Sequence, residues 1–310
     1  MKPLLVVRIL TYNHEDYIRD CLESVVTQQT KFSFKVIIGE DCSTDNTAII
    51  CKEFQANYPD LIELNCNSIN NIHLNSSKNW EQCINTGASY IALLEGDDYW
   101  TDPLKLQKQV DFLEDNIDFN IHFHNVNFIK KNVNGNWIVC NEFNNFIESS
   151  REIQFEELVK KNIISTPSVM YRSSSLVIDE SIFRYLSFGD YYLHLISAHK
   201  SKVYCDKEIM ANYRIHDNGV WSGAATIDKI NANWKFRKIM DQFFNFQYNE
   251  YFFHPLYITE HFEAAIQLNN GYFKRIKLYF QYLSFKKRTK KSWGYYFLIL
   301  RRISRIGLSK

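Results

Sequence analysis

The chain has 310 residues, enough for one large α/β domain with an appendage or for two small domains. Apolar residues make up 45% and charged residues 23%, which excludes disordered and collagen-like classes. The seven cysteines are odd in number, scattered and never spaced Cys-x-x-Cys, so neither a disulfide framework nor a zinc site is indicated, and reduced thiols in a cytosol are expected. The net charge of +1 hides an asymmetry. From Ala264 onward there are 12 Lys or Arg and no acid, leaving 24 basic against 35 acidic side chains before it, a balance of −11.

Leu4 to Leu10 is an apolar run interrupted by Arg8, too short and too charged for a signal peptide and suited to a buried parallel strand. No stretch approaches the length that spans a membrane, so a cytoplasmic chain is expected. Ile18, Cys21, Leu22, Val25 and Val26 then recur at helical spacing. Phe34 to Gly39 reads as a second strand, followed by a helix carrying Ile50, Cys51 and Phe54 that Ser43 or Asp45 can cap. Leu61 to Leu64, a helix around Ser77 to Thr86 and the strand Tyr90 to Leu94 continue the alternation, so the first hundred residues read as half of a doubly wound sheet. After Pro103 comes one helix (Leu106, Val110, Leu113). Phe119 to Ile129 and Trp137 to Cys140 then flank Asn134-Gly135, a hairpin signal that points to antiparallel β structure. A helix near Tyr192 to His199, a strand from Met210 to His216 and aromatic-rich helices from about Asp228 complete the chain.

Polar residues gather where the first strands end. The strand Tyr90 to Leu94 runs into Glu95-Gly96-Asp97-Asp98, and paired carboxylates there either cap the next helix or hold a divalent cation. Strand one ends in Thr11-Tyr12-Asn13 and strand two in Glu40-Asp41-Cys42-Ser43-Thr44-Asp45. A doubly wound sheet sets these three ends side by side along one crevice. Further on, Asp190 opens a helix in Phe188-Gly189-Asp190-Tyr191-Tyr192, and strand alternation puts Arg214 and His216 on one face.

In order and spacing these segments resemble family-2 glycosyltransferases, whose pattern is Thr-Tyr-Asn, Ser-x-x-x-Gln (here Ser24 to Gln28), Asp-Asp-x-Ser-x-Asp and Asp-x-Asp-Asp, with Glu40 and Glu95 replacing Asp. The resemblance covers roughly residues 3 to 222 and implies a GT-A fold: an α/β doubly wound sheet that binds a nucleotide-diphosphate sugar, a smaller acceptor subdomain and a C-terminal helical tail. It divides the chain into a domain at 1–225, with a nucleotide-binding half 1–100 and an acceptor half 101–225, and a helical region 226–310.

That resemblance also implies roles. Thr11, Tyr12, Asn13, Asp41, Asn79 and Asp97 would bind the nucleotide, with Tyr12 stacking on the base and Asp41 accepting from the imide N–H of uracil or thymine. Asp98 and His216 would hold Mn2+ or Mg2+, and Asp190 would be the catalytic base of a single, inverting displacement. The expected partners are a UDP- or dTDP-linked sugar and a glycan or lipid-linked acceptor of bacterial surface polysaccharide or lipopolysaccharide synthesis. Gly219 to Gly223 reads as a lid. Between Gly271 and Lys310, ten aromatics interleave with the 12 positive charges, which suits peripheral contact with the inner face of a membrane or packing on the acidic body. No nucleic-acid module is present, so nucleic acid is not an expected partner. Two rivals are a sugar nucleotidyltransferase, disfavoured because Thr11-Tyr12-Asn13-His14 lacks a Gly-rich phosphate loop, and a non-catalytic glycan-binding protein on the same fold.

Overall fold

The structure is a computed structural model, and it describes residues 2–140, 146–216 and 226–254. The chain divides into two compact units, Met1–Asp217 and Asn218–Lys310. In chain order the first contains β1 (Leu5–Thr11), α1 (Ile18–Val26), β2 (Phe34–Glu40), α2 (Thr47–Asn57), β3 (Ile62–Cys66), α3 (Ile72–Asn85), β4 (Tyr90–Glu95), β5 (Tyr99–Trp100), α4 (Lys105–Asp115), β6 (Phe119–Lys131), β7 (Trp137–Val139), β8 (Arg151–Ile153), α5 (Phe155–Lys160), β9 (Met170–Arg172), α6 (Glu180–Phe183), α7 (Gly189–Ala198) and β10 (Lys202–Ile215). The second contains α8 (Thr226–Phe243) and α9 (Asn249–Phe252). Among the described residues no helix is long and apolar enough to cross a membrane.

Among the described residues all strands form one sheet in the order β3-β2-β1-β4-β9-β6-β10-β5, with β7 beside β6 and β8 beside β10. The seven residues of β1 are all buried because helices cover both faces, as parallel strands require. One face packs Leu5, Val7 and Ile9 with Ile18, Cys21, Leu22 and Val25 of α1. On the other face Arg8 survives burial by stacking 4.4 Å over the Trp80 ring and donating to Ser76 Oγ at 2.8 Å. Register then levels the strand ends: Thr11 pairs with Glu40, and Leu10 with Glu95.

The second half departs from the antiparallel expectation. The β6–β7 hairpin forms, with Gly135 at φ +81°, but β6 pairs in parallel with β10 along most of its length. The chain returns through β9, antiparallel to both β4 and β6, and α7 then carries it back to the end where β6 began. Register shifts around Asp206 to Ala211 bend β10, and Asn212 and Ala211 pair with Tyr99 and Trp100 of β5. This pairing brings the loop after β4 against the end of β10.

Helix starts also sort the acidic residues. The start of α4 is served by Asp102, whose Oδ1 accepts from Leu104 N–H at 2.8 Å, so Asp97 and Asp98 do not cap it. Asp45 accepts from Thr47 N–H at the start of α2. The N-cap of α7 is Phe188, so Asp190 is inside the helix and does not cap it. None of the seven cysteines is in a disulfide. The 219–223 stretch and the basic tail from 271 lie outside the described residues.

Three core histidines make stability pH-dependent. Burial lowers His122 to about 3 and His194 to about 4, and pushes His124 well down. They stay neutral when folded but protonate near 6.5 when unfolded, so their contribution is complete above pH 6.5 and is lost as pH falls toward 3, at about 1.4 kcal/mol per unit for each histidine. Urea unfolding should therefore show stability falling from pH 6.5 to 4.5, with His122→Gln reducing that loss by about 2–3 kcal/mol. The same acid slope in wild type and mutant would contradict this assignment.

Candidate active site

The strand ends of β1 and β2 hold each other. Asn13 adopts φ +53°, a conformation asparagine tolerates, and its Oδ1 accepts from Thr44 N–H at 2.8 Å while its own N–H donates to Ser43 Oγ. Thr11 is buried with Oγ1 3.2 Å from His14 Nδ1. A Cβ on Gly96 would lie 2.4 Å from Thr11 Oγ1 and 2.8 Å from His14 Nδ1, so this close approach requires glycine. Thr11 and Asn13 thus shape the floor, whereas Tyr12 is 39% exposed. Asp41 is buried, and its Oδ1 accepts from Asn71 N–H at 3.0 Å and from the Asn75 amide. One turn along α3, Asn79 is buried against Gly39, and neither end of its amide has a hydrogen-bond partner among the described residues.

The loop after β4 meets the end of β10 through Arg214. Its backbone N–H donates to Asp98 Oδ1 at 2.8 Å, its Nη1 donates to the Asp97 carbonyl at 3.0 Å, and its Nη2 pairs with Asp20 at the start of α1. The guanidinium lies 4.4 Å from the Tyr99 ring and 5.4 Å from those of Tyr17 and Trp137. Fixed in this way, the end of β10 delivers His216 Nε2 to within 3.0 Å of Asp97 Oδ2, with His14 Nε2 3.8 Å from the same oxygen. Asp98 is only 2% exposed. His216 therefore faces Asp97, and Asp98 stands behind it as the anchor of β10.

Asp190 approaches from α7. Tyr191 N–H donates to its Oδ1 at 2.7 Å and the Thr166 hydroxyl to its Oδ2 at 3.3 Å. Burial pushes the Tyr213 hydroxyl well up, and the charges of Asp98, Asp97, Asp190 and Glu95 add to that shift. Burial raises Glu95 to about 8, opposed by Arg8 and reinforced by Asp97 and Asp190. Burial alone would raise Asp97, but the hydrogen bond from His216 and the nearby His14 hold it below the ordinary carboxylate range, while burial and the adjacent Asp97 charge push Asp98 up.

Such a concentration of carboxylates attracts positive charge. Among the described residues no three His, Cys, Asp or Glu side chains stand ready to enclose a metal ion. Asp97 and His216 offer one oxygen and one nitrogen donor, the small protein share that Mg2+ or Mn2+ takes when phosphates supply the rest.

The model of the family described as Glycosyl transferase family 2 matches residues 6–176, over half of the chain. The chain belongs to glycosyltransferase family 2. An uncharacterized protein of Mycobacterium tuberculosis is 35% identical to this chain over 218 residues, covering 70% of this chain and 60% of the relative. The chain thus spans less than two thirds of the mycobacterial relatives it matches. The dTDP-rhamnosyl transferase RfbG of Shigella flexneri is 32% identical over 127 residues, 40% of each chain. Among solved structures, residues 1–349 of S. aureus TarS in complex with UDP-GlcNAc superpose with a TM-score of 0.64 at 17% identity, covering 91% of this chain and 80% of that one. The fold is GT-A.

Sequence reasoning did not find the anchoring role of Arg214, nor Tyr17, Trp137, His14, Asn75 or Thr166. Asn75 carried a usable signal, since it lies four residues before Asn79 on one face of α3. Arg214→Met should destabilise the protein by about 2–3 kcal/mol in urea unfolding, less than a fully buried pair because the Asp20 side chain is 56% exposed. A change below about 0.5 kcal/mol would show that the arginine is not the tie described.

Proposed function

We propose that this glycosyltransferase moves a sugar, with inversion, from a UDP- or dTDP-linked donor to a hydroxyl of a glycan or lipid-linked acceptor in bacterial surface polysaccharide synthesis. The observation that carries this reading is the pairing of His216 with Asp97 after β4, with Asp190 close enough to Glu95 and Tyr213 to act on them electrostatically and with Tyr12 and Asp41 just past the ends of β1 and β2. Asp41 has one oxygen committed to Asn71 and Asn75, which orients the carboxylate to accept the imide N–H of a pyrimidine base. Tyr12, exposed at the rim, supplies a stacking face. RfbG, named for dTDP-rhamnosyl transfer, and TarS, which binds UDP-GlcNAc, favour donors of this class. Asn79 completes the donor side, its unpartnered amide seated beneath the end of β2.

Asp97 and His216 are the residues that would hold Mn2+ or Mg2+, in place of the Asp98 and His216 that the resemblance implies, because Asp98 Oδ1 is engaged by Arg214 N–H while His216 faces Asp97. The bound ion would supply positive charge to offset the negative charge growing on the departing nucleoside diphosphate. Asp190 takes the proton of the acceptor hydroxyl as that oxygen bonds to the anomeric carbon and the bond to the diphosphate breaks on the opposite face. The basic, aromatic tail fits a lipid-linked acceptor through its composition.

A panel of UDP-glucose, UDP-GlcNAc, dTDP-rhamnose and GDP-mannose with Mn2+ identifies the donor by nucleotide release. Asp190→Asn should then reduce turnover by about 10²–10⁴ while donor affinity changes less than about twofold. Turnover within about threefold of wild type would remove Asp190 from the mechanism.

A further inference from the structure

Thr166 lies in a short 3-10 turn, Thr166–Ser168, whose neighbours are held from inside the molecule. Trp100 Nε1 donates to the Pro167 carbonyl at 2.8 Å, and Gln109 Nε2 donates to the Ser168 carbonyl at 2.9 Å. Both donors are fixed in turn. Lys105 Nζ sits 4.2 Å over the Trp100 ring and bonds Gln109 Oε1 at 2.7 Å, and Gln109 Nε2 also reaches the His122 carbonyl. The Ser168 hydroxyl closes the turn on the Ser165 carbonyl at 2.6 Å. Val169, the next residue, accepts from Leu93 N–H and so ties the turn to β4.

The side chain of Thr166 is the free member of this turn, and its hydroxyl donates to Asp190 Oδ2. Tyr191 N–H holds the other oxygen. A carboxylate pinned at one oxygen can still rotate about χ2; pinned at both, its plane is set. We propose that Thr166 is a positioning residue that aims the Asp190 carboxylate at the acceptor hydroxyl, with Trp100 and Gln109 transmitting the rigidity of the core to that turn. This inference rests on the reading of Asp190 as general base. A misaimed base slows proton transfer and leaves donor binding intact, because a small displacement of a reacting group affects rate far more than ground-state affinity.

The test compares Thr166→Val, Thr166→Ala, Thr166→Ser, Asp190→Asn and the Thr166→Val/Asp190→Asn pair in the full chain, by nucleotide release from whichever of UDP-glucose, UDP-GlcNAc, dTDP-rhamnose and GDP-mannose wild type hydrolyses. The valine and alanine variants should lose about 5- to 50-fold in kcat with KM within about twofold, serine should restore at least half of wild-type kcat, and the double variant should be no slower than Asp190→Asn. Wild-type kcat in both variants lacking the hydroxyl would overturn the inference while leaving the base intact. A double variant slowed by the product of the single effects would do the same, since Thr166 would then act independently. A near-normal Asp190→Asn would instead overturn the base and the inference together. If no donor is hydrolysed, a crystal structure of Thr166→Val decides: a reoriented Asp190 carboxylate supports the inference and an unmoved one overturns it.

Discussion

Arg214 is the constraint on which the arrangement depends. A guanidinium only 3% exposed, surrounded by Tyr17, Tyr99 and Trp137, joins three segments far apart in the chain: α1 through Asp20, the loop after β4 through the Asp97 carbonyl, and β10 through its own backbone. Arginine suits this position because its planar fork serves several acceptors while its faces stack on rings, which an ammonium group cannot do. The end of β10 would otherwise be a loose strand terminus. With Arg214 in place, His216 is delivered to Asp97 instead of to solvent.

The rest of the site follows from unequal burial of chemically similar groups. Asp97 and Asp98 are neighbours in sequence, yet one is held in its charged form by two imidazoles and the other is pushed toward neutrality by enclosure. Adjacent carboxylates in so confined a space cannot both remain charged at low energy, and hydrogen bonding decides which does. The same competition raises Glu95, which Arg8 only partly offsets. Asp190 is half-buried and held by Tyr191 N–H and the Thr166 hydroxyl.

The strand ends were legible because hydrophobic runs and their polar terminations are local signals. β1, β2 and β4 stand within a residue or so of where their apolar runs place them, and parallel pairing then sets Thr11, Glu40 and Glu95 level without further information. Other features were not local. The parallel pairing of β6 with β10 depends on a return through α7 that the hairpin signal at Asn134-Gly135 conceals. The Asp20–Arg214 ion pair joins residues 194 positions apart. On α4, Leu106, Val110 and Leu113 announce the buried face, but Lys105 and Gln109 share the interior because Trp100 and the backbone of the 3-10 turn receive them there, and charge alone argues for exposure. Asp190 reads as a helix cap until the helix is seen to begin at Gly189, with Phe188 in the capping position.

The most direct test of the account is anomalous scattering at the manganese edge from crystals grown with UDP and Mn2+. The account predicts a manganese peak beside Asp97 and His216, with Asp98 still accepting from Arg214 N–H. A manganese ion bonded to Asp98 with His216 turned away, or UDP bound with no manganese at Asp97, would contradict it.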